Sequence, residues 1–177
     1  MERMKAPAVS QLVYLLDEAF QGTEWHSLLG NLHSVTSEDW LWVPPGGQRS
    51  IRDIVGHVGG SKFMYQNHAF GDATLTWDHP LVDGRGVLST ISEALAWLRD
   101  GQERLRQNIM VLDDSELLRP RMTNWGELKS AGLIIERCHR ARAVNPNQPI
   151  AFRTADRRLR ERNQFLVRSQ MLKCLAN

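Results

Sequence analysis

The sequence predicts an all-α fold, a four-helix bundle that carries an irregular or partly helical basic tail at its C-terminal end. Three observations lead there. Apolar residues recur every three or four positions in four separate windows, the mark of helices that bury one face. No stretch shows a convincing alternation of apolar and polar residues, as a half-buried strand would. The chain has 177 residues, 42% apolar and 24% charged, enough for one globular domain with its own core. Four long helices without strands argue a bundle.

From Ala8 to Leu32, the residues Leu12, Leu15, Leu16, Ala19, Phe20, Trp25, Leu28, Leu29 and Leu32 fall at helical spacing. They read as one long first helix, loosened at Gly22. In TSEDWLWVPPGG, Ser37 followed by acidic residues suits a short helical turn, which Pro44, Pro45, Gly46 and Gly47 end. Ser50 with Asp53 three residues on resembles a capping box. The hydroxyl can accept an amide hydrogen bond, and the carboxylate favours the positive end of a helix. A second helix therefore runs from about Ile51 to Phe70. Residues 71 to 87, GDATLTWDHPLVDGRGV, lack periodicity and form the longest connection in this part of the chain, and long loops are often functional. Ser89 with Ser92 and Glu93 opens a third helix to about Leu112, with Ile91, Leu95, Leu98, Leu105, Ile109 and Leu112 on one stripe. A polar turn then leads into NWGELKSAGLIIERCHRARA, the start of the fourth helix. The bundle spans residues 8 to 145, and residues 146 to 177 form the tail.

Charge divides the chain in the same way. Residues 1 to 136 hold 12 Lys and Arg against 18 Asp and Glu, whereas residues 137 to 177 hold 10 against 2. A basic end of this kind is usually a solvated face, although it can also attract nucleic acid or an anionic surface. The apolar run Ala8 to Leu16 is too short to span a bilayer and has no cleavage site after it, so a cytoplasmic protein without membrane partners is expected. Cys138 and Cys174 lie 36 positions apart with no CxxC pattern, which suggests reduced thiols rather than a disulfide or a zinc knuckle.

His57, in RDIVGHVGG, is the residue that raises the question of chemistry. Ile51, Ile54, Val55, Val58, Tyr65 and Ala69 form the apolar stripe of the second helix, and His57 lies on its flank in line with Ser61, Met64 and His68. A flank position can point into the gap between helices, where bundle metal sites are built from facing side chains. His68 cannot share a metal with His57 across roughly 16 Å of helix, so further ligands must come from another helix. Gly56, Gly59 and Gly60 lie in the helical pattern rather than in a phosphate-binding loop, and would let a neighbouring helix approach closely. His26 and His33 read as packing or surface residues. Asp78 next to His79 is a poor general-base pair, because adjacent side chains rarely face each other. Trp40, Trp42, Trp77 and Trp125 read as packing at the ends of the bundle, without the interleaved basic residues that base stacking needs. Glu127 is expected in the first turn of the last helix, in a structural role.

The run WHSLLGNLHSVTSEDWLWVPPGGQRSIRDIVGHVGGSKFMYQNHAFGD, with NWGELKS downstream, resembles the DinB superfamily, the DinB/YfiT-like metalloenzymes. The likeness covers about Leu12 to Glu136, and Trp40 to Asp72 carries most of its specificity. It implies a four-helix bundle of the DinB/YfiT-like type, often a homodimer, holding a divalent metal, nickel or zinc, with three histidines. Some members are thiol-dependent transferases or hydrolases, and many have no assigned activity. His57 matches the first metal ligand. The other two form an HxxxH pair on one face of the last helix. Here the sequence departs from the pattern, because ERCHRARAVNPNQP follows Ile135 and the pair is absent. Ala141 and Asn145 stand where it would fall, and His139, two residues earlier, is turned by about 200° from the first of these positions. Pro146 and Pro149 end the helix early. A permitted codon choice for Glu136 to Ala143, read one base later, encodes Ser-Asp-Ala-Ile-Glu-His-Glu-Leu and restores the expected Ile-Glu-His. This marks the chain as atypical or frameshifted after about residue 136. One shift does not recover the second histidine.

The expectation is therefore a DinB-like protein of unassigned activity and unnamed substrate, derived from a divalent-metal-dependent hydrolase or thiol transferase. His57 is its surviving ligand, and weak or no metal binding is expected. In an intact member the metal would act as a Lewis acid or lower the pKa of a bound thiol or water. Nucleic acid is not an expected partner on that reading. The alternative is a non-catalytic helical interaction protein whose basic tail, including RRLRER at 157 to 162, contacts an acidic partner or nucleic acid.

Overall fold

A computed structural model describes residues 6–24 and 27–139, the last two by backbone alone. Its helices are α1 (Pro7–Gln21), α2 (Leu28–Leu32), α3 (Ser37–Leu41), α4 (Ile51–Phe70), α5 (Pro80–Asp83), α6 (Ile91–Met110) and α7 (Ala131–His139). A short hairpin of β1 (Pro120–Met122) and β2 (Leu128–Ser130) precedes α7.

Helix α4 starts where its polar residues dictate. Ser50 Oγ accepts a hydrogen bond from the Asp53 amide at 3.2 Å, and the Asp53 carboxylate accepts from the Ser50 amide at 2.9 Å. Burial works against ionising Asp53, but the bonds from Ser50 together with the charge and contact of Arg52 outweigh it and hold the carboxyl below its ordinary range. Thr36 and Asp39 make the same reciprocal pair at α3, and the Thr90 hydroxyl accepts from the Glu93 amide at 3.2 Å to open α6.

Helix α4 is buried on most of its circumference, including the polar residues Ser61, Lys62, Gln66 and His68. Both α6 and α7 pack against it, and α1 packs against α6. One part of the core gathers Val55, Phe63, Met64, Trp97 and Leu98. The other gathers Leu16, Ala69, Leu105, Ile109, Ile134 and Ile135. The expected close approach at the α4 glycines is present. A Cβ on Gly59 would enter the ring of Trp97 on α6, and one on Gly60 would meet the carbonyl oxygen of Val82.

Three expectations need correction. The first helix is not continuous to Leu32: α1 stops at Gln21, and Ser27 opens the separate helix α2 by accepting from the Gly30 amide at 3.1 Å. Short polar side chains that bond nearby backbone compete with helix continuation. Trp25 and His26 lie outside the described residues. Strand structure is present: β1 and β2 pair antiparallel through Arg121 and Lys129, around a turn in which Gly126 has φ +84°. Three-residue strands are too short to show an alternating pattern. Glu127 consequently sits in this hairpin, ahead of β2, and not in the last helix, which begins at Ala131. The basic tail lies outside the described residues.

Candidate functional site

The N-terminal half of α4 and the segment that follows it enclose a cavity of about 500 Å³, within the range of small-molecule sites. Gly56 and His57 supply the α4 side, and Trp77, Val82 and Leu88 supply the apolar side opposite. The His57 imidazole stacks on the Trp77 indole, with ring centroids 5.0 Å apart and planes 15° from parallel. Tyr65, two turns further along α4, meets Trp77 edge-on at 6.3 Å.

Trp77 is held against α4 by the C-terminal turns of that helix. Asn67 Oδ1 accepts from the amides of Thr74 and Leu75 at 2.9 and 3.0 Å. Buried His68 lies between two carbonyl oxygens, with Nδ1 3.0 Å from Met122 O and Nε2 3.0 Å from Leu75 O. A neutral imidazole has one N–H and can donate to one of them, and an imidazolium could donate to both. His68 is therefore a clasp joining α4, the loop and the hairpin, and it positions the residues that lead into Trp77.

Neither ring nitrogen of His57 has a hydrogen-bond partner among the described residues. Burial lowers the pKa of this imidazole, and the positive charge of Arg49 lowers it further. The ring is thus neutral near pH 7, the form that can accept a proton, a hydrogen bond or a metal ion.

Carboxylates line the same cavity, but each is engaged. Asp53 caps α4. Asp83 binds the Arg85 amide and Nε at 2.9 and 2.7 Å, which together with the charge of Arg85 outweigh desolvation and hold its carboxyl low. Among the described residues no group of three or more His, Cys, Asp or Glu side chains is placed to hold a metal ion. Catalytic zinc takes three protein ligands and keeps one open position, and among the described residues His57 is the one histidine that lines the cavity. Ala141 and Asn145, where the HxxxH pair would fall, lie outside the described residues, as do Cys174 and the side chains of Cys138 and His139.

His33, Asp78, His79, Trp40 and Trp125 do not line the cavity. His33 is exposed at the end of α2. His79 caps α5 by accepting from the Leu81 amide at 3.2 Å, while Asp78 takes the hydroxyl of Thr76, so the two side chains form no hydrogen-bonded pair with each other. Trp40 donates to Leu88 O at 3.1 Å. Trp125 donates to Glu127 at 3.0 Å and lies under the guanidinium of Arg137, 4.4 Å from its ring centroid. Trp77 is different, because it builds the site rather than packing an end of the fold. The sequence signal that could have marked it was a lone large aromatic in the middle of a polar, 17-residue connection.

These features define the class: a helical protein with a ligand-sized cavity beside its central helix, walled by a stacked imidazole and indole. The sequence profile of the DinB superfamily matches residues 22–136, and the chain belongs to that superfamily. The match ends at the residue where the expected ligand pattern breaks off. No curated protein matches the chain, and no solved structure does. Among the described residues no helix is long and apolar enough to cross a membrane.

Proposed function

We propose that this chain is a DinB-like small-molecule-binding protein derived from a divalent-metal-dependent hydrolase or thiol transferase, with a three-histidine site that is incomplete. In this reading His57 no longer holds a resident nickel or zinc ion and serves as one wall of the cavity. The observation that supports it most directly is the state of His57 itself. The imidazole at the position matching the superfamily's first ligand has its pKa lowered by burial and by Arg49, and its ring nitrogens have no hydrogen-bond partner among the described residues. It faces a cavity of ligand size, yet among those residues no group of three or more His, Cys, Asp or Glu side chains is placed to hold a metal ion.

The test is elemental analysis of protein purified without a histidine tag, alongside His57→Ala. Nickel and zinc well below one ion per chain in both proteins is the expected result. Metal at one ion per chain that disappears in His57→Ala would show an intact site and overturn the proposal.

A further inference from the structure

We propose that the His57–Trp77 cavity binds an anionic ligand with a flat aromatic body, its oxyanion held by Arg52 and Arg85 and its ring against Trp77. This rests on the reading of the cavity as a ligand site, and it adds the chemical class of the ligand.

The charged groups around the cavity differ in how far their hydrogen-bonding capacity is used. Arg52 and Arg85 line it with Asp53 and Asp83, and Arg49 is close enough to His57 to act on its ionisation. Asp78 acts electrostatically on Asp83 and Arg85, so three guanidinium groups stand against three carboxylates, and Asp78 is taken up by the Thr76 hydroxyl. Asp53 is committed to Ser50 at the start of α4, and Arg52 reaches it only through one contact at 3.5 Å. Asp83 is bound by Nε of Arg85, which leaves the terminal nitrogens of that guanidinium unbonded among the described residues. Two arginines with unused donors at the mouth of one cavity match the planar, forked geometry of a carboxylate or phosphate. Their side chains are 45% and 80% exposed, so they can turn toward an incoming anion, and salt will screen the attraction.

The apolar part of the ligand is set by the walls. Trp77 remains 40% exposed although His57 covers part of it, and an indole left open in a cavity offers a large, rigid contact surface. Gly56 contributes no side chain, and among the described residues Leu88 Cδ1 lies over it, 2.8 Å from where a Cβ would stand. The cavity volume of about 500 Å³, with Trp77 in its wall, leaves room for a ring against the indole. Neutral His57 adds no charge and can accept or donate a single hydrogen bond to a polar substituent.

Saturation binding followed by NMR or calorimetry tests this with four probes: benzoate, phenyl phosphate, the uncharged benzamide, and acetate, which lacks the ring. Benzoate, phenyl phosphate or both should bind at least about ten-fold more tightly than benzamide and acetate. Arg52→Gln/Arg85→Gln should abolish the preference for the anion, and Trp77→Ala should weaken ring-bearing probes while leaving acetate unchanged. Equal binding of benzoate, phenyl phosphate and benzamide, an unaltered preference in the arginine double variant, or no saturable binding of either aromatic anion would overturn the proposal. Both arginines are exposed, so a folded double variant is expected, and circular dichroism checks it. Metal content measured on the same preparations separates the two readings. Stoichiometric metal defeats the incomplete site whatever the probes do, and loss of anion selectivity in metal-poor protein defeats only the ligand assignment.

Discussion

Gly59→Ala should destabilise this protein, against the ordinary effect of that substitution. In the middle of an exposed helix, alanine is favoured over glycine by about 1 kcal/mol. At position 59 the added Cβ would lie inside the Trp97 ring, 2.6 Å from Cη2 and 2.7 Å from Cε3. The ring has little freedom to retreat. It is 9% exposed, its N–H donates to Leu81 O at 3.3 Å, and it stacks on Phe63 with centroids 5.5 Å apart. Overpacking of a filled core costs about 1–3 kcal/mol, and the fixed indole puts this case at the upper end. Set against the helical gain, the net loss is about 2 kcal/mol, a fall in Tm of roughly 4–8 °C for a chain of this size. Thermal and urea unfolding of Gly59→Ala would measure it, with Gly56→Ala as control. Among the described residues a Cβ at Gly56 would meet the flexible tip of Leu88, which can shift, so the control should stay within about 0.5 kcal/mol of the parent. Adding Trp97→Leu to Gly59→Ala should cost less than Trp97→Leu alone does in the parent, because the clash is then gone. A Gly59→Ala protein as stable as the parent would refute the close approach of α4 and α6.

Two further outcomes follow from the histidines. His68→Ala removes a buried side chain and its bond to Leu75 or Met122, with an expected loss of about 2–4 kcal/mol; hydrogen exchange should accelerate at 72–78 and 120–123, and unchanged exchange there would dismiss the clasp. His57, with its pKa depressed first by burial and then by Arg49, makes stability fall as pH drops. Below about 6.5 the unfolded chain takes up a proton that the folded imidazole resists, so stability declines from there down to the folded pKa and levels off beneath it. His57→Gln should show a shallower decline between pH 7.5 and 5 in denaturant titrations, and superimposable profiles would remove burial as the cause.

Much of the architecture can be read from single segments. Ser50 and Asp53 mark the start of α4 within four residues, because a capping box needs no partner outside its own turn. The glycines at 56, 59 and 60 announce a close approach, although not which element makes it: Leu88 at Gly56, Trp97 at Gly59, the Val82 carbonyl at Gly60. The break after Gln21 escapes the reading because Leu28 and Leu32 keep the helical phase across it, and apolar periodicity does not register a cap such as Ser27. The hairpin at 120–130 escapes it because its strands are shorter than the pattern that reveals strands.

At the site, His57 and its place on the flank of the apolar stripe are written in the 3.6-residue period of α4, as is its match to the superfamily's first ligand. The start and phase of α4 and superfamily membership are thus properties of the sequence by itself, since each depends on residues within one or two turns or on a local pattern. The stacking of Trp77 on His57 and the opening of Arg52 and Arg85 onto one cavity were decided only by the tertiary structure. Twenty residues separate His57 from Trp77, and no local rule sets the path between them. That path is closed by Asn67 and His68, whose hydrogen bonds to Leu75 and Met122 become possible only when the loop and the hairpin have packed against α4.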